Sequence, residues 1–338
     1  MRKPNVLFYS NKGNDPRYLI DVLESFSQEG YEKKTLDAGK PLEDQFRGVE
    51  MVVDLGGWAT REMIDAGGKV NLWQVLGTGL DHTDVGYILG KNIKLSYTPG
   101  TTSALSLGEC SVMFLLMLAR NYHSAVANLN SGLMYRPAGR SLKGGTLGIL
   151  GFGASGRELA RRAKPFGMRI EAIDIVPLEG DVDPAIAPDF FGGPDDMDEV
   201  IARCDYLSLH LHLTENTRHL INERRLALMK PDACLINVAR GGLVDEDALG
   251  EALLNGKLGG AALDVFAQEP PDMNRPEYQL SNVILTNHVA GCTDDMIRER
   301  VLIGLDNGRR LAAGEVILHP VTAEMGLGKC PSRKLAQT

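Results

Sequence analysis

Three glycines and one aspartate carry the first chemical signal in this chain. Between Thr146 and Asp174 the sequence reads TLGILGFGASGRELARRAKPFGMRIEAID, and an apolar run meets Gly-x-Gly-x-x-Gly at Gly151, Gly153 and Gly156. Each glycine has a physical task in holding a dinucleotide: Gly151 permits a tight turn, Gly153 lets the backbone approach a pyrophosphate, and Gly156 lets the next helix pack close to its strand. The start of that helix offers unpaired N–H groups and the positive end of its dipole to phosphate oxygens. Asp174 stands 18 residues past Gly156, near the ~20 expected of the acid that hydrogen-bonds the ribose 2′-OH of NAD. A carboxylate there also repels the 2′-phosphate of NADP, so NAD is the expected cofactor.

Such a site needs a strand, a turn, a helix and a second strand, and the periodicity supplies them. Leu147 to Gly151 is an apolar run, Leu159, Ala160, Ala163 and Phe166 recur at helical spacing, and a second short apolar run ends on Asp174. The first hundred residues repeat the alternation on a smaller scale. Strands are expected over Asn5 to Tyr9, Met51 to Leu55 and Leu72 to Leu76, with a helix over Tyr18 to Phe26 that stops at Gly30. Open parallel sheets bind ligands off the carboxyl ends of their strands, so Gly56 and Gly57, and Thr78 and Gly79 in GTGLD, are candidate substrate contacts through backbone N–H groups. A long apolar helix from about Ala104 to Arg120 follows Tyr97-Thr98-Pro99-Gly100 and is expected to link two domains. Later strands are expected at Tyr206 to Leu209, Cys234 to Val238, Ala261 to Val265 and Val283 to Leu285. That alternation predicts an α/β fold with a doubly wound parallel sheet and helices on both faces. A helical stretch from Met296 to Leu311 leads to Val316 to Val321, which has no partner strand nearby and is expected to return to the first domain. The polar tail from Thr322 is expected to be loosely held.

Composition bounds the rest. A chain of 338 residues exceeds one ordinary core, and 43% hydrophobic with 24% charged residues is usual for a globular protein. The formal charge is −8 with no basic block, which argues against nucleic acid or an anionic membrane as partner and requires a locally positive site for any small anionic substrate. The apolar run at the N-terminus is too short for a signal peptide, and no stretch approaches 18 uninterrupted apolar residues, so a cytoplasmic protein is expected. Cys110, Cys204, Cys234, Cys292 and Cys330 are scattered without CxxC pairing, which supports neither a disulfide framework nor a thiolate zinc site and leaves them read as free thiols.

Three further segments make the reading specific: INVARGGLVDEDAL from Ile236, GGAALDVFAQEPP from Gly259 and NVILTNHVAGCT from Asn282. With the glycine turn, and with LGTGLDHTDV and LHLHLTENTRHLIN, they resemble the D-isomer-specific 2-hydroxyacid dehydrogenase family over nearly the whole chain. The resemblance implies a Rossmann cofactor domain plus a smaller flavodoxin-like α/β substrate domain, NAD as cofactor, and a small anionic 2-oxo or 2-hydroxy acid as substrate. It also implies a catalytic trio of Arg240, Glu269 and His288. Arg240 directly follows an apolar strand, so its fork can engage the carboxylate and carbonyl oxygen of a 2-oxo acid. His288 can give the carbonyl oxygen its proton and take it back in reverse, and Glu269 would hold and charge that imidazole.

By the same resemblance Asp264 contacts the nicotinamide carboxamide, His288 also faces the cofactor, and Ala154, Ser155, Thr217, Val238 and Ala239 line it. Asp264 has a rival role as a strand-end cap, and Asp245 is read as the cap of the helix beginning near Glu246. The chain departs from the family where His212 replaces a common proline, which lets His212 touch the cofactor, and where Asn287 replaces another; His210 is read as a packed strand residue. A tryptophan that often reaches the partner subunit's site is replaced in the Gly132 to Arg136 region, with Tyr135 the candidate. The substrate domain is expected to be discontinuous, residues 1–101 and 303–338, around a cofactor domain of residues 102–302, and a homodimer is implied through Ala104 to Tyr135. Two other readings stand beside this one. A formate-type dehydrogenase would carry glutamine in place of Glu269, and an NAD-sensing corepressor would need an interaction surface or extensions beyond the short tail. Arg61 is the one cation near the substrate loops, which gives weak support to a phosphorylated substrate.

Overall fold

The structure, a computed structural model, describes residues 2–10, 16–178, 180 and 182–322. The polar tail expected to be loosely held lies almost wholly outside them. The chain divides into two compact units, one built from residues up to Thr102 and from Thr293 on, the other from Ser103–Cys292.

In chain order the first unit begins with β1 (Val6–Tyr9), α1 (Pro16–Gln28), α2 (Leu42–Phe46), β2 (Met51–Asp54), α3 (Arg61–Ala66), β3 (Leu72–Val75), α4 (Val85–Gly90) and β4 (Lys94–Ser96). The four strands are parallel and lie in the order β1-β2-β3-β4. Thr35 adds a short parallel bridge on the free edge of β1, through Phe8 N–H to Lys34 O at 2.8 Å and Leu36 N–H to Phe8 O at 2.9 Å. The second extended segment in sequence therefore sits outside the first, which gives the flavodoxin-like order 2-1-3-4-5. Side chains alternate between two buried faces, as a strand period of two requires for a sheet covered on both sides. Val6, Phe8, Met51, Val53 and Leu72 face one apolar cluster with Val22 and Phe26 of α1, while Leu7, Val52, Trp73 and Val75 face another with Met63, Ile64 and Ile88.

The second unit takes up most of α5 (Thr101–Ala119), then α6 (Tyr122–Asn130), β5 (Thr146–Leu150), α7 (Ala154–Ala163), β6 (Arg169–Ile173), β7 (Phe190–Gly192), α8 (Met197–Arg203) and β8 (Tyr206–Leu209). It ends with α9 (Glu223–Leu228), β9 (Cys234–Asn237), α10 (Glu246–Leu254), β10 (Gly260–Leu263) and β11 (Val283–Leu285). All seven strands are parallel in the order β11-β10-β9-β8-β5-β6-β7. The order reverses between β5 and β8, and such a switch point is where a doubly wound sheet binds its ligand. One face buries Leu207, Leu209, Leu235 and Leu263, and the other buries Leu147, Ile149, Ile170 and Ile236 beneath Phe114, Leu115 and Leu118 of α5. Among the described residues α5 is the one helix long and apolar enough to cross a membrane, and 56% of that window is buried. Asp245 caps α10 by accepting from Ala248 N–H at 3.1 Å.

The last helix, α11 (Asp294–Ala313), belongs to the first unit. Ile297, Val301 and Leu305 pack into the cluster of Val22 and Phe26, so the boundary expected at residue 303 falls inside a continuous helix. Its buried Asn307 closes the unit: Nδ2 donates to Gln74 Oε1 (2.6 Å) and Ser96 Oγ (3.0 Å), and Oδ1 accepts from Leu318 N–H (2.6 Å). Ile317 and Val321 complete the two apolar clusters of that same unit.

Candidate active site

The glycine turn joins β5 to α7 at the switch point. Gly151 has φ +94°, and a Cβ there would lie 2.5 Å from His210 O. A Cβ on Gly156 would lie 2.1 Å from Gly151 O, so the turn and the helix cannot separate to admit one. Gly153, by contrast, faces open space and leaves the α7 N-terminus without a side-chain cap. Unpaired first-turn N–H groups beside an open backbone fit the pyrophosphate of a dinucleotide. Asp174 follows β6 and braces the turn, with Oδ2 accepting from Phe152 N–H at 2.7 Å and Oδ1 from Val176 N–H at 3.0 Å.

His210 is tied into the same turn. Its Nδ1 lies 3.0 Å from Ser155 Oγ and its Nε2 2.9 Å from Ser208 Oγ. Burial pushes its pKa down to about 4, so at neutral pH an uncharged ring bridges β8 to the first turn of α7. His212 is exposed, and its carbonyl accepts from Thr217 Oγ1 at 2.7 Å. Thr217 Oγ1 also accepts from Thr214 N–H at 2.7 Å, so this hydroxyl organises its own turn. Val238 is buried and Ala239 partly so, both directly after β9.

Arg240, Glu269 and His288 stand on three loops that follow β9, β10 and β11. His288 Nδ1 lies 2.8 Å from Glu269 Oε2, and both side chains keep solvent access. Burial works against ionisation of Glu269. The hydrogen bond and charge of His288, the Phe266 N–H on Oε1 (3.1 Å) and the Arg240 guanidinium outweigh it and hold this carboxyl below its usual range. Arg240 is held at its backbone by Asn237 Nδ2 on its carbonyl (2.9 Å), and its Nη1 donates to Ala239 O (2.7 Å). His288 adopts φ +60°, a left-handed conformation uncommon outside glycine.

What imposes that backbone is Asp264. Its fully buried carboxylate accepts from Thr286 Oγ1 (2.6 Å), Val289 N–H (2.8 Å) and Ala290 N–H (2.9 Å), while its carbonyl accepts from His288 N–H (2.8 Å). The side chain thus clamps the loop that presents the imidazole. Gly241 was not singled out in the sequence, yet a Cβ there would stand 1.8 Å from Phe266 C. That approach locks the Arg240 loop against the Glu269 loop, and the pair Gly241-Gly242 directly after Arg240 is the signal that could have revealed it.

The loops of the first unit differ from expectation in one respect. The N–H groups of Gly56 (3.1 Å), Gly57 (2.7 Å) and Trp58 (3.3 Å) all donate to Asp54 Oδ1, and Trp73 Nε1 donates to Oδ2 at 3.1 Å. An internal carboxylate has taken the donors that were expected to meet a ligand. The loop instead presents Trp58, stacked on His82 with ring centroids 3.8 Å apart and planes 10° apart. Arg61 is not available as a cation either, because Asp84 Oδ2 receives both its Nε (2.9 Å) and its Nη2 (2.6 Å). Arg300 of α11 does reach the GTGLD loop, with Nη2 3.5 Å from Thr78 Oγ1.

Comparison with known proteins gives the family. A family model described as the NAD-binding domain of D-isomer specific 2-hydroxyacid dehydrogenases matches residues 112–290. The hydroxypyruvate reductase of Thermotoga maritima is 39% identical over 243 residues, which cover 71% of this chain and 76% of that protein. Among solved structures, a 2-hydroxyacid dehydrogenase from Ketogulonicigenium vulgare aligns with TM-score 0.80 and 28% identity, covering 95% of this chain and 99% of its own. A D-lactate dehydrogenase from Aquifex aeolicus, solved with NAD and lactic acid, aligns with TM-score 0.78 and 25% identity over 92% and 96% of the two chains. The chain belongs to the D-isomer specific 2-hydroxyacid dehydrogenases, as an NAD-dependent enzyme of that family.

Proposed function

We propose that Arg240, Glu269 and His288 interconvert a small 2-oxo acid and its D-2-hydroxy acid. The observation that carries this reading is the 2.8 Å contact of His288 Nδ1 with Glu269 Oε2, beside Arg240, at the carboxyl ends of β9, β10 and β11 in the sheet whose β5 leads into the glycine turn. NADH, when bound, supplies the hydride that reduces C2 of the oxo acid. Ionised Glu269 keeps a proton on Nδ1 in both the neutral and the charged ring, so in reduction the imidazolium gives its Nε2 proton to the carbonyl oxygen, and in the reverse direction the neutral ring takes a proton back on Nε2. Arg240 binds the substrate carboxylate and polarises the carbonyl with a bidentate fork.

The remaining roles belong to the same proposal. Ala154 and Ser155 hold the cofactor pyrophosphate and Asp174 its ribose, while Thr217, Val238, Ala239, His212 and His288 line the cofactor. Asp264 meets the nicotinamide carboxamide in addition to clamping the His288 loop. In the first unit Thr78 and Gly79 contact the substrate, and the Gly56-Gly57 loop contributes through Trp58. Leu129, Leu133, Met134 and Tyr135, together with Leu105 and Met113 of α5, are exposed large apolar side chains, which supports a homodimer through this part of the chain. Free thiols at Cys110, Cys204 and Cys234 fit a cytoplasmic enzyme. The test is steady-state turnover of glyoxylate, pyruvate and hydroxypyruvate with NADH, alongside His288→Ala. Turnover of none of these acids, or a His288→Ala rate close to that of the unaltered chain, refutes the proposal.

A further inference from the structure

We propose that Arg300 is the receptor for a second negative charge on the substrate, so that the preferred 2-oxo acid carries a distal oxyanion in addition to the carboxylate next to its carbonyl. This rests on the 2-oxo acid reading above and extends it to substrate class. Arg300 projects from α11 to the carboxyl end of β3, where Nη1 lies 3.3 Å from Leu76 O and Nη2 3.5 Å from Thr78 Oγ1. Both contacts are long for hydrogen bonds, and Leu76 O already accepts from Tyr18 OH at 3.2 Å. The Nε atom is buried and finds no acceptor, and no carboxylate among the described residues pairs with this guanidinium.

A partly buried arginine with so little compensation is unfavourable unless an anion completes it. Its planar fork suits the paired oxygens of a carboxylate, sulfonate or phosphate. Location decides what that anion is. The carboxyl end of an open parallel sheet is where ligands bind, and Arg300 Nη2 lies 3.5 Å from the hydroxyl of Thr78, already a proposed substrate contact. Arg61, the other cation near these loops, is neutralised by Asp84 and lies over the Tyr87 ring at 4.9 Å. A chain of net charge −8 needs a local cation for each charge of a dianionic substrate. Arg300 is the cation that the first unit offers to such a charge.

The test compares kcat/KM with NADH for hydroxypyruvate, which has an uncharged end, against oxaloacetate, 3-sulfopyruvate and 3-phosphohydroxypyruvate. The full chain should prefer at least one charged acid. Arg300→Met should cut the ratio of that acid to hydroxypyruvate by about 10- to 100-fold, the range of a charge-assisted hydrogen-bond pair, mainly through KM. Arg300→Lys should recover part of the ratio, which a purely structural arginine would not show. Calorimetric binding of 3-sulfolactate against lactate in the presence of NAD gives a readout that needs no turnover. A preference for the uncharged acid, or a ratio that Arg300→Met moves by less than threefold, overturns the assignment. If none of the four acids is turned over, the 2-oxo acid reading fails, and the calorimetric ratio still decides Arg300: a sulfolactate preference that vanishes in Arg300→Met supports it, while one that survives, or none at all, refutes it.

Discussion

His210 should make the second unit sensitive to acid in a window that can be calculated. Its folded pKa is pushed down to about 4 by burial, against 6.5 for the free side chain. Between those values the unfolded chain binds a proton that the folded chain does not, so stability falls as pH drops through 6.5 and levels off below about 4. Going from pH 7 to pH 4.5, the linkage gives a loss of about 2.4 kcal/mol, an upper figure because the ring keeps some solvent access. His210→Gln removes the titration while keeping a polar group between Ser208 and Ser155. The measurement is urea unfolding of both proteins at the two pH values, read by circular dichroism. Tryptophan emission is unsuitable, because the two tryptophans, Trp58 and Trp73, both lie in the first unit. Every other carboxylate and histidine titrates alike in the pair, so the difference between them isolates His210. The unaltered chain should lose about 2 kcal/mol more than the variant over this interval. Parallel losses, with the gap changing by less than about 0.5 kcal/mol, would refute the argument that the ring stays uncharged.

Three further outcomes follow from the site. The depressed pKa of Glu269 keeps it ionised above the ordinary carboxylate range, and its contribution is lost only as pH falls below that range. Glu269→Gln should therefore lower kcat/KM for oxo acid reduction about 10- to 100-fold at pH 7, and His288→Ala about 10²- to 10⁴-fold; a pH–rate profile of Glu269→Gln superimposed on the original would sink the dyad. Gly241→Ala places a methyl against the Phe266 backbone and should impair activity as severely as loss of Arg240, with a melting temperature lowered by several degrees, since overpacking costs about 1–3 kcal/mol. Near-normal kinetics in that variant would show that the two loops can separate. Asp174→Ala should weaken NADH and raise the relative kcat/KM for NADPH, by removing a like charge; an unchanged NADH to NADPH ratio would exclude Asp174 from the ribose site.

The glycine turn was legible because its constraints are local: a positive φ at Gly151 and a close approach at Gly156 admit no side chain, and the residues that impose them lie a few positions away or at a strand end. The parallel sheets were legible for a similar reason, since strands buried on both faces read as short continuous apolar runs. The three-residue strand β7, with only one buried residue, offered no such run. Asp54 was illegible because an acid that ends an apolar strand looks like the start of a turn, and only the folded loop shows Gly56, Gly57 and Trp58 converging on it. Arg300 was hidden more deeply. It sits on an amphipathic helix among other charged residues, and the loop it reaches lies 222 positions earlier in the chain. For Asp264 the sequence offered a nicotinamide contact with a strand-end cap as its rival, and the three hydrogen bonds that its carboxylate accepts support the cap.

The discontinuous first unit imposes an order on synthesis. Its sheet is complete once β4 has left the ribosome, but α11, Asn307, Ile317 and Val321 arrive only after the roughly 190 residues of the second unit. At about 5–20 residues per second that interval is roughly 10 to 40 s. During it Val22, Phe26 and Leu72 lack the helix that packs against them, and Gln74 and Ser96 lack the amide that bonds both. The second unit is continuous in sequence and is free to fold first. Chains truncated before Asp294 and released from the ribosome should therefore hold a protease-resistant second unit beside a first unit that is still open to cleavage and to chaperones.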